Sequence, residues 1–202
     1  MSDAPTPAEC SEVRRRDREM TDEAWIKDFL RRAPAGTLAT VAGGQPFVNM
    51  NIFAYSEPDH AVYMHTAKTG RTRANVDGEE RVCFSVSEMG RLLPAKTALE
   101  MSVEYSGVVI FGRAEVVADD AEAERALGLL LAKYFPHLEA GHDYRTIQPD
   151  ELARTTVYRI RIDAWSGKRK QVAADFPGAF RYGEWPASPT PTNGTASTFT
   201  GG

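Results

Sequence analysis

The sequence predicts a mainly β fold with flanking helices, built on a six-stranded antiparallel barrel. Three observations predict it. Six segments alternate apolar and polar residues or are rich in Val, Ile, Tyr and Phe. Two of the connections between them, Ala42–Gln45 and Ser56–His60, are turns with Gly, Pro or Asp, too short for the crossover that a parallel pair needs. Only two segments carry a sustained helical apolar period, one ahead of the first strand and one ahead of the last.

Taken in order, residues 1–20 read as a flexible lead. The first twelve are polar with two prolines, and VRRRDREM (13–20) is a charged run with no apolar period. Within that run Arg14, Arg15 and Arg18 either face solvent or fold back onto a bound anion. Thr21 is placed to cap a helix, with Asp22 and Glu23 in its first turn and Trp25, Ile26, Phe29 and Leu30 on one stripe. Pro34 and Gly36 end it.

Thr37–Val41 is a strand, Ala42-Gly43-Gly44-Gln45 a turn, and Pro46–Tyr55 the returning strand. Asn49 and Asn51 share one of its faces, where they either line a polar cavity or meet solvent. Ser56–His60 is a second turn. The stretch Ala61–Val86 then gives a strand, a polar loop with Lys68, Gly70 and Arg71, half a helix, and a strand from Arg81. Ser87–Met101 reads as an irregular loop whose Leu92-Leu93 pair suits a subunit contact. Ser102–Ala118 is a long strand interrupted by Gly107 and Gly112, glycines that mark a bulge or the close approach of something flat.

Asp119 and Asp120 cap a helix over Ala121–Tyr134, with Leu127, Leu130 and Leu131 as its apolar face. A loop, a short turn at Pro149–Arg154 and a last strand over Thr155–Asp163 follow, and WSGKRK (165–170) comes directly after. The barrel domain is expected over 21–172. A C-terminal extension covers 173–202, and its Pro/Thr/Gly-rich part from about Ala187 is expected to be disordered.

A formal net charge of −4 argues against nucleic acid as a partner. No apolar run is long enough to span a bilayer, and MSDAPTPAEC has no secretory character, so a cytoplasmic protein is expected. Cys10 and Cys83 give no disulfide framework, and Cys83 reads as a buried strand thiol. His137 and His142 lack the spacing and further ligands of a metal site. The fingerprints of Rossmann, P-loop, zincin and serine-hydrolase sites are absent.

What remains is a distributed set of cations and amides. The loop Ala67–Thr72 pairs two cations with a helix start, a natural place for a phosphate. Asn49 and Asn51 lie on a neighbouring strand, Ser106 and Gly107 follow the long loop, and Trp165, Lys168 and Arg169 end the last strand. Such a set suits a planar phosphorylated ring such as FMN, whose redox chemistry is its own.

Five segments in order, GTLATVAGGQPFVNMNIFAY (36–55), VYMHTAKTGRTRANV (62–76), RVCFSVSEMGRLLPA (81–95), EYSGVVIFGRAEVV (104–117) and YRIRIDAWSGKRK (158–170), resemble the FMN-binding split-barrel proteins of the pyridoxamine 5′-phosphate oxidase-like superfamily. Within it the chain is similar to the branch of 5-nitroimidazole resistance proteins. The resemblance implies that Met50, Asn51, Ile52 and Phe53 run along the flavin, and that His65 and Thr66 contact it. It implies that Arg71 holds the phosphate, with Lys68 or Arg73 in support and Thr72 beside them. Ser106 and Gly107 would meet the ring, and Trp165 and Lys168 would reach the cofactor across a homodimer interface. Thr72 stands where relatives often carry Lys, and Gly107 where Ser is common. The implied activity is an FMN-dependent oxidoreductase that reduces a small flat acceptor such as a nitroaromatic, with His65 binding the acceptor or donating a proton. The alternative is a flavin, deazaflavin or haem binding protein without turnover.

Overall fold

The computed structural model describes residues 5–186. One antiparallel sheet of eight strands organises it, in the order β3-β2-β6-β7-β8-β5-β4, with the two-residue β1 (Glu19–Met20) added against β8. The strands are β2 (Gly36–Ala42), β3 (Gln45–Asn51), β4 (Ala54–Ser56), β5 (Ala61–Ala67), β6 (Arg81–Leu93), β7 (Ser102–Val116) and β8 (Thr155–Lys170). The helices are α1 (Pro7–Ser11), α2 (Glu23–Arg32), α3 (Arg71–Gly78), α4 (Asp120–Tyr134) and α5 (Pro149–Leu152).

The β2–β3 turn forms as its composition dictates. Gly43 and Gly44 both take positive φ, 56° and 78°, the geometry that lets a two-residue loop follow the strand twist. The sheet curls so that Leu38, Phe84, Val108, Ile110, Met64 and Ile160 fill its interior. The stripe Ile26, Phe29 and Leu30 of α2 and Val76 of α3 join the same core. A second apolar cluster lies on the opposite side of β5 and β8, where Ala61, Tyr63 and Val157 meet Ala123 and Ala126 of α4. α1 packs across β7 and β8. The outward side of β3 and β2 is left bare: Val41, Val48 and Met50 are exposed there.

Several expectations are corrected. The sheet has eight strands rather than six, because β1 is added and the second strand is broken at Ile52–Phe53. The break has a cause: the Tyr134 hydroxyl accepts the Phe53 N–H at 3.0 Å and lies 3.2 Å from its carbonyl oxygen, so α4 takes the groups a ladder would use. The cap of α2 is Asp22, not Thr21. The stretch 5–20 holds α1, capped by a reciprocal Thr6–Glu9 box, the strand β1 and the buried Val13. Arg15 and Arg16 are tied to Asp17 and Glu19, and Arg18 reaches Tyr105.

The supposed loop after Ser87 continues β6 to Leu93, past a register shift between Met89 and Leu92. Leu92 bridges to Phe180 and Leu93 is buried, so that pair is occupied within the chain. The last strand likewise runs through WSGKRK to Lys170. Gly112 is a close-approach glycine, since a Cβ there would lie 2.0 Å from the Arg161 carbonyl oxygen. The low-complexity end from Ala187 lies outside the described residues.

Candidate functional site

β5 ends at Ala67, and Gly70 stands at the N-cap of α3 with no side chain capping the helix. The leading N–H groups of α3 therefore offer themselves to an external acceptor, at the positive end of the helix dipole. Lys68 and Arg71 are exposed, and among the described residues neither forms an ion pair. Arg73 is committed elsewhere: its Nε lies 2.8 and 2.9 Å from the carboxylate oxygens of Asp77. Thr72 is buried against the barrel. The Arg71 guanidinium sits 5.6 Å from the centroid of the Phe47 ring, which brings β3 to this corner.

Phe47, Asn49 and Asn51 form one half-buried face of β3, while Val48 and Met50 face outward. The two asparagines bond to each other within β3, Asn51 Nδ2 donating to the Asn49 carbonyl at 3.0 Å. Both are half-buried. On β5, the Thr66 hydroxyl lies 3.0 Å from the Tyr158 hydroxyl, on the barrel side.

His65 faces the other way, because alternate strand residues leave opposite faces. It borders an apolar cavity of about 260 Å³ under α4, with Ile52, Leu127, Leu130, Tyr134 and Ile147 among its walls. The imidazole makes no side-chain hydrogen bond among the described residues, and its Nδ1 is buried without a partner. Burial lowers its pKa from the ordinary value, so the ring is neutral at neutral pH.

The remaining candidates fall in other places. Ser106, Gly107 and Lys168 border a separate cavity of about 290 Å³ with Ser85, Ser87 and Ser166. Gly107 pairs with both Ser87 and Lys168 across the sheet. Phe53 is fully buried, its ring edge-on to Phe84 at 5.0 Å, and has no side-chain surface to offer a ligand. Trp165 packs beside His60 and Tyr55, with ring centroids 4.9 and 6.3 Å away, apart from Lys168. In one chain, then, the structure gathers Lys68, Arg71 and Thr72 at the start of α3, just past Thr66 at the end of β5. It joins Ile52 to His65 across β5, and holds Ser106, Gly107 and Lys168 apart from both.

Two residues were not legible as site elements. Tyr134 fixes the Ile52–Phe53 backbone and lines the His65 cavity. Lys133 lies with its Nζ 3.7 Å from the Phe53 ring centroid and 3.3 Å from the Leu30 carbonyl oxygen, and burial pulls its amine down to about 8. A lysine near the end of an ordinary amphipathic helix carries no sequence signal for either feature.

Comparison with known proteins gives the following. The sequence profile of the family described as pyridoxamine 5′-phosphate oxidase matches residues 22–169. No curated protein matches the chain significantly. Among solved structures, the flavocytochrome Anf3 from Azotobacter vinelandii is 23% identical, with a TM-score of 0.70, over 94% of this chain and 92% of that one. The FAD and heme binding protein from Mycobacterium smegmatis is 24% identical, with a TM-score of 0.69, over 77% and 74%. A protein described as a 5-nitroimidazole antibiotic resistance protein from Bacteroides thetaiotaomicron is 18% identical, with a TM-score of 0.62, over 75% and 86%. At these identities the likeness is one of fold.

Proposed function

Because the chain belongs to the pyridoxamine 5′-phosphate oxidase family, we propose that it is a cytoplasmic FMN-dependent oxidoreductase that reduces a small flat acceptor such as a nitroaromatic. One observation carries the cofactor reading: among the described residues Lys68 and Arg71 stand unpaired beside the uncapped start of α3, a set that fits a phosphate. Thr66, at the end of β5, offers a hydroxyl to the ring, and Asn51, half-buried on β3, offers an amide to its polar edge. The bound flavin supplies the redox chemistry. This chain's residues hold and orient it, and His65 addresses the acceptor.

The cavity beside His65 is apolar and of a size for one small ring system, and the neutral imidazole can hydrogen-bond a polar substituent there. Ser106, Gly107 and Lys168 reach the cofactor in this reading only from a second copy, with the bare β2–β3 face as the contact between copies. Two structural relatives are described as a heme binding protein and a flavocytochrome, and an unpartnered imidazole also suits a haem ligand. That is the second reading.

The visible spectrum of the purified protein separates the two. A flavin spectrum bleached by reductant and restored by a nitroimidazole supports the enzyme. A Soret band supports haem, and failure to take up FMN or FAD overturns the flavin reading. His65→Ala is expected to retain flavin while losing acceptor turnover. Equal turnover would remove His65 from the acceptor's side.

A further inference from the structure

The far end of β8 carries a second group of cations. Arg169 and Lys170, with Arg181 from the C-terminal segment, border a cavity of about 380 Å³ whose walls also include Glu88, Glu104 and Tyr105. Both carboxylates are already matched. Glu88 is paired with Arg32 at 2.9 Å, and Glu104 with Arg91 at 2.8 Å. Arg91 also donates to the carbonyls of Ala173 and Ala174, so that pair has a structural task of its own.

The three cations have no such match. Among the described residues none of them forms an ion pair. Arg169 donates to the Gln171 amide oxygen and Lys170 to the Ser102 hydroxyl, neutral acceptors that leave both charges uncompensated. Arg18 reaches the Tyr105 hydroxyl with its Nη1 at 3.2 Å, its charge matched by Asp17 at 3.7 Å. In a chain of net charge −4, a concave surface with this local excess of positive charge concentrates anions. Two guanidinium groups and an ammonium match the several oxygens of a multiply charged phosphate group.

We propose that this cavity is a second anion site, one that takes a diphosphate group. Within one chain it is not the α3 corner under another name, and Ser106 in its wall joins it to the cavity of Gly107 and Lys168. Ala67, just before Lys68, pairs with Thr155 at the start of β8. Arg169 is fourteen residues further along that strand, a contour length of about 46 Å at about 3.3 Å per residue. Tyr105 and Met89 at the cavity wall give a flat apolar neighbour for a base, should the diphosphate belong to a nucleotide.

Calorimetric titration of the full chain as purified, with inorganic diphosphate and separately with ADP, tests the assignment. One diphosphate per chain is expected, weakened tenfold or more by Arg181→Gln or Arg169→Gln and weakened by added salt. Arg71→Gln is expected to leave that affinity within twofold. Tighter ADP binding supports the site with the base placed against Tyr105, and equal affinity supports it for the diphosphate group alone. The assignment is overturned if diphosphate at millimolar concentration gives no binding heat. It is equally overturned if the double variant Arg169→Gln/Arg181→Gln binds as the parent does, or if Arg71→Gln alone abolishes binding.

Discussion

Replacing Arg71 with Ala isolates the proposed phosphate grip, and the surroundings of the side chain set the size of the effect. Arg71 is exposed and without an ion-pair partner among the described residues, so its removal strands no buried charge. Its recorded contact is with the Phe47 ring, at 5.6 Å, worth about 0.5 kcal/mol at an exposed site. Folding stability should therefore change little. A charge-assisted hydrogen bond to phosphate contributes about 1.5–3 kcal/mol, and exposure places this one at the lower end. About 1.5 kcal/mol corresponds to roughly tenfold in Kd. The control is Arg73→Ala, two residues along α3 and equally cationic. Arg73 already spends its Nε on Asp77, so its loss should weaken FMN by about twofold or less. Lys68→Ala, a flexible point charge, should fall between the two. Quenching of flavin fluorescence on titrating apoprotein into FMN at fixed ionic strength gives the three constants, and thermal melts confirm that each variant is folded. An unchanged Kd for Arg71→Ala, or an equal loss for Arg73→Ala, refutes the reasoning.

Three other outcomes are expected. Glu104→Gln breaks the paired carboxylate that holds Arg91 and accepts the Val172 N–H, and should destabilise by about 2 kcal/mol in urea titrations. Because Arg91 holds the Glu104 carboxyl down at about 2, its stabilisation is present above the ordinary 4.5 and lost as pH falls toward 2. The variant should lose less stability over that window, and parallel acid curves would count against the linkage. Lys133→Met should stabilise at pH 7 more than at pH 10, because burial lowers the amine to about 8 and so penalises the folded state below that pH, a penalty relieved between 8 and 10.5. A gain that does not shrink on raising the pH refutes this. Val48→Asp/Met50→Asp, at two exposed outward positions, should leave the melting temperature of the chain nearly unchanged while shifting sedimentation toward the monomer. A dimer that persists places the contact elsewhere.

What the sequence disclosed was local, and what it concealed was imposed from a distance. The β2–β3 hairpin was legible because Gly43 and Gly44 supply the positive φ their turn demands. The helix α4 was legible because Asp119 caps it and its leucines share a face. The split of the second strand was not, since nothing in NIFAY (51–55) announces that a tyrosine eighty-one residues away takes the Phe53 backbone. Nor was the length of β6, whose polar run past Ser87 is held in the sheet by β7 and by the Phe180 bridge. The charged lead was misread for the same reason. Glu19 and Met20 pair with Lys168 and Gly167, contacts with no trace in the local pattern.

The candidate site shows the same division more sharply. The types of residue were legible, since cations at a helix start and amides on a strand are local facts. Their assembly was not, although one rule was at hand: His65 and Thr66 are adjacent on a strand, and period-two geometry alone places them on opposite faces. A single ligand cannot lie flat against both side chains from the same side of β5. Either the acceptor site at His65 and the flavin corner at Thr66 communicate around the end of β5, where Ile52 and Asn51 also diverge, or His65 belongs to a separate pocket under α4. Ser106, Gly107 and Lys168 sharpen the choice, because one chain does not bring them to the α3 corner. If they serve the flavin, they do so from a second copy. The monomeric Val48→Asp/Met50→Asp protein must then lose flavin affinity although its own Lys68 and Arg71 are untouched. Should the monomer hold FMN as the parent does, the flavin is bound by the α3 corner alone, and the cavity at Gly107 and Lys168 serves some other ligand.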